Sequence, residues 1–297
     1  MTAVAADPSV AAVSDVEHVG TIAAVIHLKG QSARAPQDDI PAQHWNGGPV
    51  DCAGCSYQAM RGLEGREGCE PGYACMQDVY ARRIDRFFRW HPKLGGEQLS
   101  HPYFEVRAIA ARHASVFRLT ALMDDPDETV RLQVVLRLPL TQLLKMVNDP
   151  HREVRIRVAQ RLEPIDLALM RNDADYGVRE LVANRLPLPL LPVMANDVDR
   201  AVRMRVAKRL DMPALLRMAD DAEPEVRRIV AERLPTGLLQ RLAQDADWRV
   251  RFEVALRADV ATLKTMQDDD EPDIRQTVQE RLSTLEPTDN TLGAFHG

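Results

Sequence analysis

The chain has 297 residues, and its 38 Lys and Arg stand against 44 Asp and Glu for a formal net charge of −6. Neither part is basic: residues 1–96 carry 9 cationic and 11 acidic side chains, and residues 97–297 carry 29 and 33. That balance lacks the electrostatic footprint of a nucleic-acid binder, and an aromatic content of only 5% suits helix packing by Leu, Val, Ala and Met.

The first 28 residues hold no Lys or Arg, so the cationic start of a secretory signal is absent. The longest apolar stretch there, Thr21 to Leu28, is too short to span a bilayer. The expected location is the cytoplasm, and residues 1–48 are expected to form a partly disordered extension. In that compartment clustered cysteines serve more often as metal ligands than as disulfides.

All four cysteines, Cys52, Cys55, Cys69 and Cys75, lie in DCAGCSYQAMRGLEGREGCEPGYAC with the spacing C-x2-C-x13-C-x5-C. Four thiolates bind a tetrahedral zinc ion or a [4Fe–4S] cluster. Zinc modules usually present two tight knuckles, and the second pair here is looser. A cubane also needs N–H donors for its inorganic sulfides. Gly54, Gly62, Gly65, Gly68 and Gly72 stand among the cysteines, where glycine lets backbone approach closely. The spacing leans towards iron and sulfur and leaves zinc open, with disulfides or free thiols as further readings. It departs from the ferredoxin run C-x2-C-x2-C-x3-C-P. A cluster held by four cysteines has no iron open to substrate, which favours structure, sensing or electron transfer over catalysis.

After Cys75, the segment MQDVYARRIDRFFRW has a helical pattern with Met76, Val79, Tyr80, Ile84, Phe87 and Phe88 on its apolar side and Pro92 ending it. It is expected to cover the first repeat of the array that follows. Arg82, Arg83, Arg86 and Arg89 make it basic, as a solvated face offsetting the cluster's charge or as a docking face for an acidic redox partner. Residues 49–95 are thus assigned to a cluster domain and its linking helix.

From 96 to 283 a pair recurs every 24 residues: Val106-Arg107, Val130-Arg131, Val154-Arg155, Val178-Arg179, Val202-Arg203, Val226-Arg227, Val250-Arg251 and the conservative Ile274-Arg275. A fixed period of this length marks a solenoid of about eight units, in which no unit can bury its apolar face alone. The unit is typified by LLKMVNDPHREVRIRVAQRL, numbered here from its Val154 as zero. Leu stands at −11, Met or Leu at −8, Asp at −5, Val at +4, usually Ala at +5 and mostly Leu at +8. The segment from −5 to +8 is predicted to be one α-helix, capped by the Asp, with Pro126 at a first helical position. Pro139, Pro164, Pro187, Pro213 and Pro235 block continuation. The other half of the unit allows only two helical turns. The strand signature of leucine-rich repeats is missing, and so is period-2 alternation. The expected fold is therefore all-α, with alternating long and short helices and no sheet.

Arginine fills +1 in every copy and +7 in Arg137, Arg161, Arg185, Arg209, Arg233, Arg257 and Arg281. The +1 guanidinium falls near the apolar stripe, so it is expected to be half-buried and paired with the Asp column of the same or an adjacent repeat. The first copy breaks the pattern, with Gly95-Gly96 at the leucine position, His101 for Asp and His113 for Arg. Degeneracy of an end unit explains the two histidines better than metal ligation. Phe104, Tyr176 and Trp248 share position −2, where aromatics serve either local packing or partner contacts. Residues 284–297 are expected to be a flexible tail.

The 24-residue unit and the four-cysteine segment before it resemble the leucine-rich repeat variant proteins with an N-terminal [4Fe–4S] domain, from nitrogen-fixing bacteria. The resemblance spans about residues 50–283. It implies a right-handed superhelix of alternating α- and 3₁₀-helices without strands. It also implies a [4Fe–4S] cluster on Cys52, Cys55, Cys69 and Cys75, with zinc as the alternative cofactor. The expected function is that of a non-catalytic iron–sulfur protein with a redox or sensing role, linked to nitrogen fixation, because no catalytic constellation is present. Its solenoid would dock a protein partner, and neither membrane nor nucleic acid is expected as one. The alternatives are a metal-stapled scaffold without redox activity and a nucleic-acid-binding regulator controlled by the cluster.

Overall fold

The computed structural model describes residues 40–285 apart from Glu64. Residues 1–39 of the expected extension and residues 286–297 of the expected tail lie outside the described residues. No strand occurs among the described residues, only four isolated β-bridges between residues 43 and 78.

Seven of the eight repeats form a ten-residue α-helix running from −2 to +7, as in Arg152–Arg161, Tyr176–Arg185 and Arg200–Arg209, and the last forms a longer one, Pro272–Leu285. In the ten-residue units the residue at +8 is extended, and a short second segment follows before the next helix. That segment is 3₁₀ in most units, for example Asp166–Met170, Leu188–Met194 and Thr236–Leu242. It includes a short α-turn at Leu140–Leu143 and at Val260–Lys264. The choice follows from spacing. The two buried positions of this half, −11 and −8, are three residues apart, and a helix of 3.0 residues per turn stacks such residues on one face. Leu143, Leu167 and Leu191, and below them Met146, Met170 and Met194, are all buried. With Val, Val, Ala and Leu at 0, +4, +5 and +8, they join a single apolar core that runs from Ala108 to Leu282.

The helix start corrects the sequence reading. The Asp at −5 does not cap the helix. The caps stand at −3, where Asp127, Asp175, Asp199 and Asp247 accept first-turn N–H groups. Pro126 therefore lies outside its helix, whereas Pro224 occupies a first helical position. Every Asp at −5 instead closes a turn on the N–H two residues ahead and receives the arginine fork of the preceding repeat. Arg131 Nε and Nη2 donate to Asp149 Oδ2 and Oδ1 at 2.8 and 3.0 Å. The same bidentate pair recurs seven times, from Arg107–Asp125 to Arg251–Asp269, always 18 residues apart. In each, the hydrogen-bonded carboxylate pushes the arginine pKa up, as at Arg131 and Arg179.

The +7 arginines also tie neighbouring layers together, but to backbone. Arg137 Nη1 donates to the carbonyls of Ala111 and Ala114 at 2.5 and 2.7 Å, and Arg233 Nη1 to those of Ala207 and Leu210 at 2.7 and 2.6 Å. These acceptors are the +5 and +8 carbonyls of the preceding repeat, which its own helix end leaves free.

The departures in the first copy acquire a reason. No repeat precedes it, so position 101 faces no arginine fork and needs no carboxylate. His101 Nδ1 still accepts the Tyr103 N–H at 3.1 Å, keeping the turn, and burial lowers its pKa, which suits an accepting neutral ring. His113 has no preceding carbonyls to bind and stacks on Phe88 with ring centres 6.2 Å apart. Gly95 lets the chain pass close by: a Cβ there would lie 2.9 Å from Ala110 O and from His113 Cβ. The aromatics at −2 share a register but not an environment, since Phe104 packs on the core while Tyr176 and Trp248 stand exposed.

Two aspartates in one turn separate these roles. Asp199→Ala is expected to cost about 1 kcal/mol, the usual loss of an N-cap. Asp197→Ala strands the buried fork of Arg179 and is expected to cost about 3 kcal/mol or more. Urea unfolding of the two variants checks this, and equal losses would contradict the assignment.

Candidate iron–sulfur centre

Residues 40–80 are almost devoid of regular structure, and their shape is held by a few tertiary anchors. The main one is Arg83, on the helix α1 (Ala81–Trp90). Its side chain is only 1% exposed and meets Asp78, 0% exposed, at 3.0 Å. It also donates to the carbonyls of Ile40 and Pro41 at 2.7 and 3.4 Å. Arg83 therefore corrects the picture of a uniformly basic outer face: this charge is internal and structural. Likewise α1 begins at Ala81, so Met76 and Val79 precede the helix that the sequence pattern extends over them.

The apolar side of α1 behaves as its sequence pattern suggests except at Tyr80, which stands at the N-cap and is exposed. Met76, Ile84, Phe87 and Phe88 form a second core with Val106, Ile109 and Ala110 of α2 (Phe104–His113), the first repeat helix. Trp45 stacks on Tyr103 with ring centres 5.8 Å apart and planes at 9°, and its Nε1 donates to Gln77 Oε1 at 3.0 Å. Gln98 Nε2 donates to the Tyr57 hydroxyl at 2.7 Å. The irregular segment thus closes the end of the array that has no preceding repeat.

Within this segment Cys52, Cys55, Cys69 and Cys75 line one small cavity of about 20 Å³, together with Asp51, Tyr57, Arg61, Gln77 and others. All four thiols are free, and Cys75 is buried. No three His, Cys, Asp or Glu side chains among the described residues close on a single-ion position. His101 and His113 do not line the cavity. Tyr57 N–H donates to Cys55 Sγ at 3.4 Å, the kind of backbone bond that a thiolate ligand accepts. Burial pushes the Cys75 thiol up to about 12. Burial first, then the neighbouring Cys55 and Cys52, raise the Cys69 thiol, while Arg61 opposes them. A metal entering here must displace thiol protons, and the soft four-sulfur donor set fits iron–sulfur or zinc rather than a hard cation.

Backbone geometry brings the cysteines together. Cys69 N–H donates to Met60 O at 3.2 Å and Cys75 N–H to Arg83 O at 3.3 Å. Gly68 allows the first of these: a Cβ there would lie 2.3 Å from Leu63 O. The roles of Arg61 and Tyr57 in the cavity wall have no periodic or motif signal in the sequence, and sequence reasoning missed them.

Fold and site together define a helical repeat solenoid whose first unit is closed by a four-cysteine domain. The family model of the LRV protein FeS4 cluster matches residues 42–97, and that of the leucine rich repeat variant matches residues 104–127 and 224–247. A solved structure described as a leucine-rich repeat variant with a novel repetitive protein structural motif is 44% identical, with a TM-score of 0.70 over 78% of this chain and 99% of that one. The chain belongs to the leucine-rich repeat variant family, and its N-terminal domain is of the FeS4 cluster type. A 27.7 kDa protein from the nifB 3′ region of Rhodobacter capsulatus is 50% identical over 95 residues. That match spans 32% of this chain and 38% of the relative's length.

Proposed function

We infer that this is a non-catalytic, cytoplasmic [4Fe–4S] protein in which Cys52, Cys55, Cys69 and Cys75 hold the cluster and the repeat array docks a protein partner. The observation that carries the reading is the arrangement of four thiols, and no other metal-binding side chain but Asp51, around one cavity. The FeS4 family match over residues 42–97 supports it. A bound cluster would supply one-electron exchange. The chain's own contribution would be the Tyr57 N–H on Cys55 Sγ and the positive charge of Arg61 in the cavity wall, both of which favour the more negative, reduced state.

Docking on the array is supported by apolar side chains left exposed along its 3₁₀ side, among them Phe117, Ile165, Leu169 and Val193. The nifB-region relative supports a link to nitrogen fixation. No helix among the described residues is long and apolar enough to cross a membrane.

Anaerobic purification followed by iron, sulfide and zinc analysis tests this. The expected product is brown, absorbs at about 400 nm and carries about four irons and four sulfides per chain. A colourless protein with one zinc would overturn it. A second reading, a cluster that only staples the end of the array, draws on the core shared by α1 and α2. Reversible reduction and reoxidation would exclude it, and a cluster that cannot be cycled would favour it.

A further inference from the structure

A second hollow, open on one side and of about 340 Å³, lies between the loop before Cys75 and the outer side of α1, lined by Arg66, Tyr73, Arg86, Arg89 and Trp90. It shares no residue with the cysteine cavity, and no carboxylate lines it. Three guanidiniums and two aromatic rings therefore share one concave wall. Arg86 is fixed within it: Nη1 donates to Tyr73 O at 2.8 Å, and Cζ lies 3.8 Å from the centre of the Tyr73 ring. The Tyr73 and Trp90 rings stand 5.8 Å apart at 52°. Arg89 touches Asp85 at 3.0 Å in an exposed pair that a better anion can displace, and Arg66 is exposed on the rim.

We propose that this hollow binds a free nucleoside phosphate, its phosphates on Arg66, Arg86 and Arg89 and its base against Trp90. Guanidiniums match phosphate oxygens in planar, bidentate fashion. Ring walls add stacking for a base and give nothing to a bare anion. The volume suits one small ligand, whereas an acidic protein surface would need a patch of roughly 800 Å². Such a ligand touches the chain between Cys69 and Cys75 through Tyr73 without touching a cysteine.

Calorimetric titration of the purified full chain with ATP, tripolyphosphate, adenosine, an oligothymidylate and polyglutamate decides the matter. ATP is expected to bind at least about tenfold more tightly than tripolyphosphate or adenosine. Arg66→Ala with Arg89→Ala is expected to weaken ATP by at least about tenfold without moving the melting midpoint. Trp90→Leu should weaken ATP and spare tripolyphosphate. Equal affinity for ATP and tripolyphosphate would overturn the proposal. So would ATP binding indifferent to the two arginines, or binding of oligothymidylate or polyglutamate where ATP does not bind.

Discussion

Arg131→Ala is expected to cost about 3–5 kcal/mol of folding stability, the usual result of removing one partner from a buried ion pair. The side chains of Arg131 and Asp149 are 8% and 4% exposed, and the fork is bidentate. Arg131 also donates to Asp125 O at 2.7 Å, so its loss leaves that carbonyl without its side-chain donor and the Asp149 carboxylate without its counter-charge, held only by the His151 N–H. Two controls share the chemistry without the burial. Arg249 pairs with Asp247 on the surface, and Arg249→Ala should leave stability unchanged. Arg275 ends the column and donates to the carbonyls of Asp269 and Asp270, while Gly293 stands 18 residues on, where the column would place an Asp. Arg275→Ala should likewise have little effect. Urea unfolding followed by circular dichroism measures all three. A loss below about 1 kcal/mol at Arg131 would mean that the ladder follows the packing and does not hold it.

The second large effect is expected at Gly68. The added methyl of Gly68→Ala would meet backbone, at 2.3 Å from Leu63 O and 3.1 Å from Met60 O, and backbone cannot swing aside as a flexible side chain does. The turn that sets Cys69 N–H on Met60 O must open, and Cys69 leaves the cavity wall. Iron per chain should fall more than about tenfold, as far as in Cys69→Ser. Gly237, with open space around its would-be Cβ, is the control, and Gly237→Ala should keep full iron. Full iron in Gly68→Ala would show that the cysteine loop is not rigid where the metal enters.

These two sites mark the limits of what could be read from the amino-acid order. The 24-residue period, the apolar columns and the arginine columns are visible because each position meets the same environment in every layer, so the same residue returns. The pairing of Arg at +1 with the Asp column is legible for the same reason. The role of −5 against −3 is not. Both positions offer a short acidic side chain ahead of a helix, and only the stacking of layers shows that −5 faces the arginine 18 residues earlier while −3 faces its own first turn. The +7 arginines bind carbonyls, which every residue carries, so no sequence column records their partners.

The N-terminal segment has no repetition to average over. Four cysteines in one short stretch mark a metal-binding domain, and their chemistry restricts the metal to a thiophilic one. That Arg83 turns inward to Asp78 while Arg66, Arg86 and Arg89 share a hollow with Tyr73 and Trp90 is not written in the spacing of a basic helix. The sequence by itself determined the solenoid and the donor set, because local periodicity and thiol chemistry need no partner to be recognised. Tertiary structure alone decided which charges are internal, where the helices start and how the cysteines surround one cavity. Those outcomes depend on contacts between residues far apart in the chain, and burial rather than residue type selects among them.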